Sequence, residues 1–138
     1  MQISRLGPAA RAQVEAKLSG KPVTARRDFA LGRIAPGTMN KTEAAYARHL
    51  DDQKAAGEVL WWKFEAFKLR IAAGCFLDVD FAVMTADCAL QMHDVKGSLR
   101  IITDDAKVKM KVAASLYPFQ FFYAVRVKGE WTLTEVAA

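Results

Sequence analysis

Cysteines and long hydrophobic runs are both scarce in this chain of 138 residues, and each scarcity excludes a class of protein. No apolar run approaches the roughly 18 residues that a membrane-spanning helix needs. The amino terminus lacks the charged, apolar and small-residue regions that mark a secretory signal. The two cysteines, Cys75 and Cys88, fall at unlike depths of a predicted hairpin and are not expected to pair. These absences predict a reduced, cytoplasmic protein with no membrane segment.

Acidic residues are rare at the front of the chain, which is therefore strongly basic. Residues 1–41 contain eight Lys and Arg residues against two acidic residues, whereas the whole chain has a net charge of +5. Glycines and prolines interrupt any long element there, so we expect residues 1–38 to form a mobile basic arm. Such an arm, with Arg26 and Arg27 at its centre, can neutralise phosphates without reading sequence, although a solubilising tail is an equal alternative.

Residues 39–138 have the length and patterning of one folded domain. Asn40 and Glu43 form a plausible capping pair for a helix over 41–56, and Thr103 is a suitable N-cap for a helix over 104–116. The second helix is predicted to bury Val108, Val112 and Leu116, together with Ala113. The segments between and after the helices predict strands, which gives an α/β domain with a mixed sheet flanked by helices in the order α-β-β-β-α-β-β. The predicted strands span 59–71, 76–84, 90–96, 119–127 and 131–136. The first of these could also run through a bend into a second edge strand.

The stretch from Phe76 to Gly97 reads as a hairpin that carries the most distinctive charges. Alternation places Asp80 on one face of its first strand, and Asp94 and Lys96 share a face of the second. Hairpin pairing would bring the two carboxylates close together, where a divalent cation would relieve their repulsion. Hard oxygen donors suit Mg²⁺ or Mn²⁺, and a neighbouring lysine can orient a water. The alternative is a solvated salt bridge.

Two further acids are candidates for the same cluster. Glu43 lies on the inward stripe of the first helix, where it could act as an additional acid or serve only as part of the cap. Glu65 could help to hold the metal, or could pair with Lys63 or Lys68 across strands. We do not expect the two histidines, His49 and His93, to be ligands.

These residues resemble the PD-(D/E)XK nuclease superfamily, whose signature is an acid on one strand and acid-any-lysine on the next. Asp80 would be the first acid, and Asp94, Val95 and Lys96 the second element, while Val79 stands where the signature has proline. More closely, residues 40–135 are similar to a small phage and prophage domain of unassigned function placed in that superfamily. The matching pieces are NKTEAAYARHL, WWKFEAFKL, FLDVDFAVM, HDVKG and VKMKVAASLYPFQFFYAV.

The resemblance implies a restriction-endonuclease-like core and a magnesium-dependent DNA endonuclease that leaves 5′-phosphate ends. Asp80, Asp94 and the main-chain carbonyl of Val95 would hold the metal, and Lys96 would position the attacking water. Lys107, Lys109 and Lys111 would hold the DNA backbone together with the arginines of the arm. A branched DNA substrate would require a resolvase-like homodimer, because two active sites must then cut symmetrically.

Two other functions are compatible with the same sequence. A non-catalytic nucleic-acid-binding module could use the basic arm and the three lysines of the second helix. A phage-encoded adaptor or anti-host protein could retain a nuclease fold without its chemistry.

Overall fold

A computed structural model describes residues 37–137 of the chain, and the predicted basic arm lies almost wholly outside them. The described part is an α/β domain with two helices, a five-stranded mixed sheet and a separate two-stranded hairpin. The elements are α1 (Lys41–Ala55), β1 (Val59–Phe64), β2 (Lys68–Ala72), β3 (Cys75–Asp78), β4 (Phe81–Thr85), β5 (Leu90–Lys96), a short 3₁₀ helix (Leu99–Ile101), α2 (Asp104–Leu116), β6 (Gln120–Val127) and β7 (Glu130–Glu135).

The five strands of the main sheet lie in the order β1-β4-β5-β6-β7. All neighbours are antiparallel except β5 and β6, which are parallel and connected through α2. Strand β5 is therefore central. Strands β2 and β3 pair only with each other.

The helices cover opposite faces of this sheet. Successive residues of a strand point to opposite faces, so each strand contributes side chains to both cores. On one face α1 buries Tyr46 and Leu50 against a core that includes Phe81 and Val83. On the other face α2 buries Met110 and Ala113 within a core of β4, β5 and β6 side chains. None of the helices in the described part of the chain is long and apolar enough to cross a membrane.

Local sequence signals explain where the elements begin and end. Asn40 and Glu43 form a reciprocal capping box at the start of α1, and Thr103 accepts a hydrogen bond from the amide of Ala106 at the start of α2. Between β6 and β7, Lys128 and Gly129 both have positive φ values, of 52° and 82°. A two-residue hairpin turn of this kind matches the twist of the flanking strands. These three predictions are confirmed.

The predicted order of elements was incomplete, because the structure has five strands before α2 rather than three. The stretch over 59–71 takes the bent alternative, with the bend at Glu65, which has a φ of 48°. The predicted strand over 76–84 breaks at Val79 and Asp80. The two outer pieces, β2 and β3, fold together as the separate hairpin.

The predicted buried stripe of α2 is confirmed at Ala113 but was wrong at Val108 and Leu116. Val108 and Leu116 are 59% and 58% exposed, whereas Met110 and Ala113 are buried. Both stripes recur at helical spacing, and the helix turns the alternative one, which continues to Ala106 and Ala114, towards the sheet.

Candidate functional site

Asp80 and Asp94 lie at the same edge of the main sheet. The β4–β5 ladder ends with Phe81 opposite His93, so the next residue on each strand is one of the two acids. Antiparallel pairing thus places the residue before β4 beside a residue near the end of β5. The predicted proximity of these two side chains follows directly from this register.

The side-chain carboxylate of Asp80, rather than a main-chain carbonyl of a neighbouring strand, accepts the amide hydrogen of Val95. Its Oδ2 accepts a 2.8 Å hydrogen bond from the main-chain amide of Val95, just beyond the last paired residues. Its main-chain carbonyl accepts a 2.8 Å hydrogen bond from the amide of Glu65, at the bend between β1 and β2. Asp80 is therefore held from two sides.

Lys96 neutralises one of the two acids. Its Nζ lies 3.3 Å from Oδ2 of Asp94, and the two side chains are 31% and 13% exposed. This is the one salt bridge found among residues 37–137. Strand alternation places Asp94 and Lys96 on the same face of β5, as predicted.

Burial and nearby negative charge raise the pKa of Asp80 to about 8. Burial is the largest cause, and the charge of Asp94 is the next. The hydrogen bond from Val95 acts in the opposite direction, and the charge of Glu43 contributes a further increase. Without a cation, Asp80 is therefore protonated at neutral pH and can donate a hydrogen bond to Asp94.

The two additional acids behave differently. Glu43 accepts a 2.9 Å hydrogen bond from the amide of Asn40, and its charge still reaches Asp80. Capping and electrostatic influence therefore coexist in this residue. The carboxylate of Glu65 instead accepts a 3.1 Å hydrogen bond from the amide of Gly37, and it forms no salt bridge with Lys63 or Lys68.

The donors available here are oxygens, the type that hard divalent cations such as Mg²⁺ or Mn²⁺ prefer. Asp80 and Asp94 supply carboxylate oxygens. The amide and carbonyl of a strand residue point to the same edge, so the carbonyl of Val95, whose amide contacts Asp80, faces the same side. In the free protein a proton neutralises the carboxylate of Asp80, and a bound cation could neutralise it instead. Within residues 37–137, no three His, Cys, Asp or Glu side chains are grouped to hold a metal ion, so neither Glu43 nor Glu65 completes a three-carboxylate set.

The three lysines of α2 do not form one row. Lys107 and Lys111 line a cavity together with Tyr123 of β6. Lys109 lines a different groove, between α2 and the β2–β3 hairpin. Arg26 and Arg27 lie outside the described residues.

Sequence patterns did not single out two polar side chains close to the acids. His93 is buried, where its ring nitrogens contact the hydroxyl of Tyr46 and the side-chain oxygen of Gln91. Burial and the charge of His49 lower the pKa of His93 to about 4, so its ring is neutral and structural. Tyr123 pairs with Asp94 across the β5–β6 ladder, and burial together with the charge of Asp94 raises its pKa. No local sequence signal marks this residue, because its partner strand is reached only through α2.

Comparison of the chain with protein-family models, with curated proteins and with solved structures finds no match. The resemblance stated above therefore depends on the residues themselves.

Proposed function

We propose that this protein is a metal-dependent DNA endonuclease of the restriction-endonuclease-like, PD-(D/E)XK type, related to phage and prophage domains. The observation that carries the proposal is the convergence of Asp80 and Asp94 at one sheet edge, with Lys96 on Asp94. A lone surface salt bridge would not require a second, half-buried carboxylate beside it.

The topology supports the proposal. Without the separate β2–β3 hairpin, the main sheet and its helices follow the order α-β-β-β-α-β-β, which is the order that the resemblance implies. Asp80 then immediately precedes the second strand of that core, and Asp94 lies on the third. The acid-any-lysine element lies on the central strand.

Each residue has a distinct role in the proposed reaction. Asp80, Asp94 and the carbonyl of Val95 would hold Mg²⁺ or Mn²⁺, which when bound would stabilise negative charge on the phosphate and the leaving oxygen. The Lys96 ammonium group would orient the attacking water and offset charge on the phosphate. Val95 aligns Asp80 through its amide. Glu43 adds negative charge beside Asp80, which favours a cation at the site.

Incubation of the full chain with linear, branched and single-stranded DNA in Mg²⁺ or Mn²⁺ tests the proposal. We expect metal-dependent cleavage that Asp94→Asn and Lys96→Ala each reduce by on the order of a hundredfold, since both remove groups that stabilise the reacting charge. Matched controls are Asp78→Asn and Lys63→Ala, which change exposed residues of neighbouring strands. Cleavage by both control variants should equal that of the unmodified chain.

Absence of cleavage on every substrate would contradict the proposal, as would full activity in both site variants. DNA binding that is equally strong in chelator, with no cleavage, would instead favour the non-catalytic nucleic-acid-binding module.

A further inference from the structure

A cavity of about 320 Å³ is lined by side chains of α2, β6 and β7. Much of its wall is apolar, from Leu99, Ile102 and Val136. Lys107 and Lys111 also line it, and these residues lie about one helical turn apart on α2. Two lysines against one glutamate, Glu135, leave the charge of the lining net positive. The cavity therefore combines an apolar surface with cationic groups.

Tyr123 contributes an unused polar group to the same lining. The residue is only 8% exposed, and its hydroxyl has no hydrogen-bond partner among residues 37–137. A buried hydroxyl without a partner is unfavourable and is rare in folded proteins. A bound ligand that supplies a donor or acceptor would remove this penalty.

The cavity adjoins the proposed catalytic centre. Tyr123 is the direct partner of Asp94 in the parallel β5–β6 ladder, so the two side chains point to the same face from adjacent strands. The strand that carries Tyr123 thus lies about one strand spacing, near 4.8 Å, from the strand that carries Asp94 and Lys96.

We infer that this cavity binds one nucleotide of the DNA substrate, next to the phosphodiester bond that is cleaved. The phosphate of that nucleotide would contact Lys107 and Lys111, its sugar and base would pack against Leu99 and Ile102, and a polar atom would pair with the Tyr123 hydroxyl. The size of the cavity lies in the range of about 300–1,000 Å³ that small-molecule sites occupy. This inference rests on the proposed function and specifies how its substrate is held.

Titration of the ¹⁵N-labelled full chain with nucleotide probes, followed by NMR in the presence of chelator, tests the inference without cleavage. We expect 2′-deoxythymidine 5′-monophosphate to bind saturably and to shift the amides of Tyr123, Lys107 and Lys111. Its affinity should exceed that of thymidine and that of inorganic phosphate by at least about fivefold each, because each fragment lacks one set of contacts. No saturable binding, shifts confined to other residues, or equal affinity for phosphate alone would overturn the inference.

Three variants sharpen the test. Tyr123→Phe should weaken binding of the nucleotide about fivefold, the value of one net hydrogen bond, and should not lower the melting temperature. Lys111→Ala should weaken binding to a similar extent, whereas Lys109→Ala, on the same helix but at a different groove, should change it less than about twofold. Unchanged binding in Tyr123→Phe, or equal losses in the two lysine variants, would contradict the inference.

The nucleotide titration and the cleavage assay can give different outcomes, and each outcome tests a different proposal. Nucleotide binding by a chain that cleaves no DNA would contradict only the proposed function. Cleavage by a chain that binds no nucleotide in the cavity would contradict only the present inference.

Discussion

The side chain of Asp80 replaces a main-chain partner at the point where β4 stops pairing with β5. Its carboxyl group accepts the amide hydrogen of Val95, and it lies close enough to Asp94 for the two acids to share a proton. This geometry is costly for the free protein, because a half-buried acid beside a second acid must stay protonated or find a cation. A site that binds a divalent ion would use the same arrangement.

The energetic cost of ionising Asp80 in the folded chain should appear in the pH dependence of the free energy of unfolding. In the folded chain, the pKa of Asp80 is about 8, against 3.8 for an unperturbed aspartate. The pKa of His93 is about 4, against 6.5 for an unperturbed histidine. Between about pH 4 and 6.5 folding binds a proton at Asp80 and releases one at His93, so the two contributions cancel. Between about pH 6.5 and 8 only Asp80 differs, and the free energy of unfolding falls as the pH rises.

Asp80→Asn should remove the alkaline part of this profile. Asparagine can keep the contact with the Val95 amide without acquiring charge. The free energy of unfolding of the variant should rise from pH 4 to 6.5 and then stay level. Between pH 6.5 and 8 the unmodified chain should lose about 2 kcal/mol of stability that the variant keeps, in metal-free buffer. Urea denaturation at several pH values measures both curves, and parallel curves would show that Asp80 is not a buried acid.

At the scale of single elements, α1 does more than cover the sheet. Its first turn carries Glu43, which completes the capping box with Asn40 and also adds negative charge near Asp80. One turn later, Tyr46 packs edge-on against Phe81 of β4 and contacts His93 of β5. The buried tyrosine thereby connects the helix that carries Glu43 to Phe81, which follows Asp80, and to His93, which precedes Asp94.

Glu43→Gln separates the two roles of this residue. Glutamine preserves the capping box, so the free energy of unfolding should change by less than about 0.5 kcal/mol. The loss of charge next to Asp80 should reduce metal-dependent cleavage about tenfold, which is typical for groups that orient or tune metal ligands. The control is Asn40→Ala, which breaks the cap and should cost about 1 kcal/mol of stability with no effect on the cleavage rate of folded protein. Equal activity in both variants would limit Glu43 to the cap.

Features fixed by contacts between residues close in sequence could be predicted, whereas features fixed by contacts between distant residues could not. The helix ends followed from Asn40, Thr103 and their neighbours, because caps involve residues three positions apart. The break at Val79 and Asp80 could not be predicted, since it depends on amides from β5 and from the bend at Glu65. The buried face of α2 was ambiguous because apolar residues occur on two of its faces.

At the scale of the whole molecule, topology determines which charges meet. Antiparallel pairing of β4 with β5 brings Asp80 to Asp94, and this contact was predictable because a short turn joins the two strands. The parallel partner β6 arrives only after the α2 crossover, so Tyr123 could not be assigned to the site from the sequence. The same crossover places Lys107 and Lys111 at one cavity and Lys109 at another. The predicted carboxylate pair is thus brought together, while the three lysines predicted to hold the DNA backbone are divided between two cavities.

The most direct test of the central claim is the anomalous diffraction of crystals of the full chain soaked in Mn²⁺ above pH 8. We expect a manganese peak at about 2.1–2.2 Å from the carboxylates of both Asp80 and Asp94, with the carbonyl of Val95 as a third ligand. The peak should be absent in Asp94→Asn crystals soaked in the same way. No peak between the two carboxylates at saturating Mn²⁺, or a peak that persists in Asp94→Asn, would contradict the account.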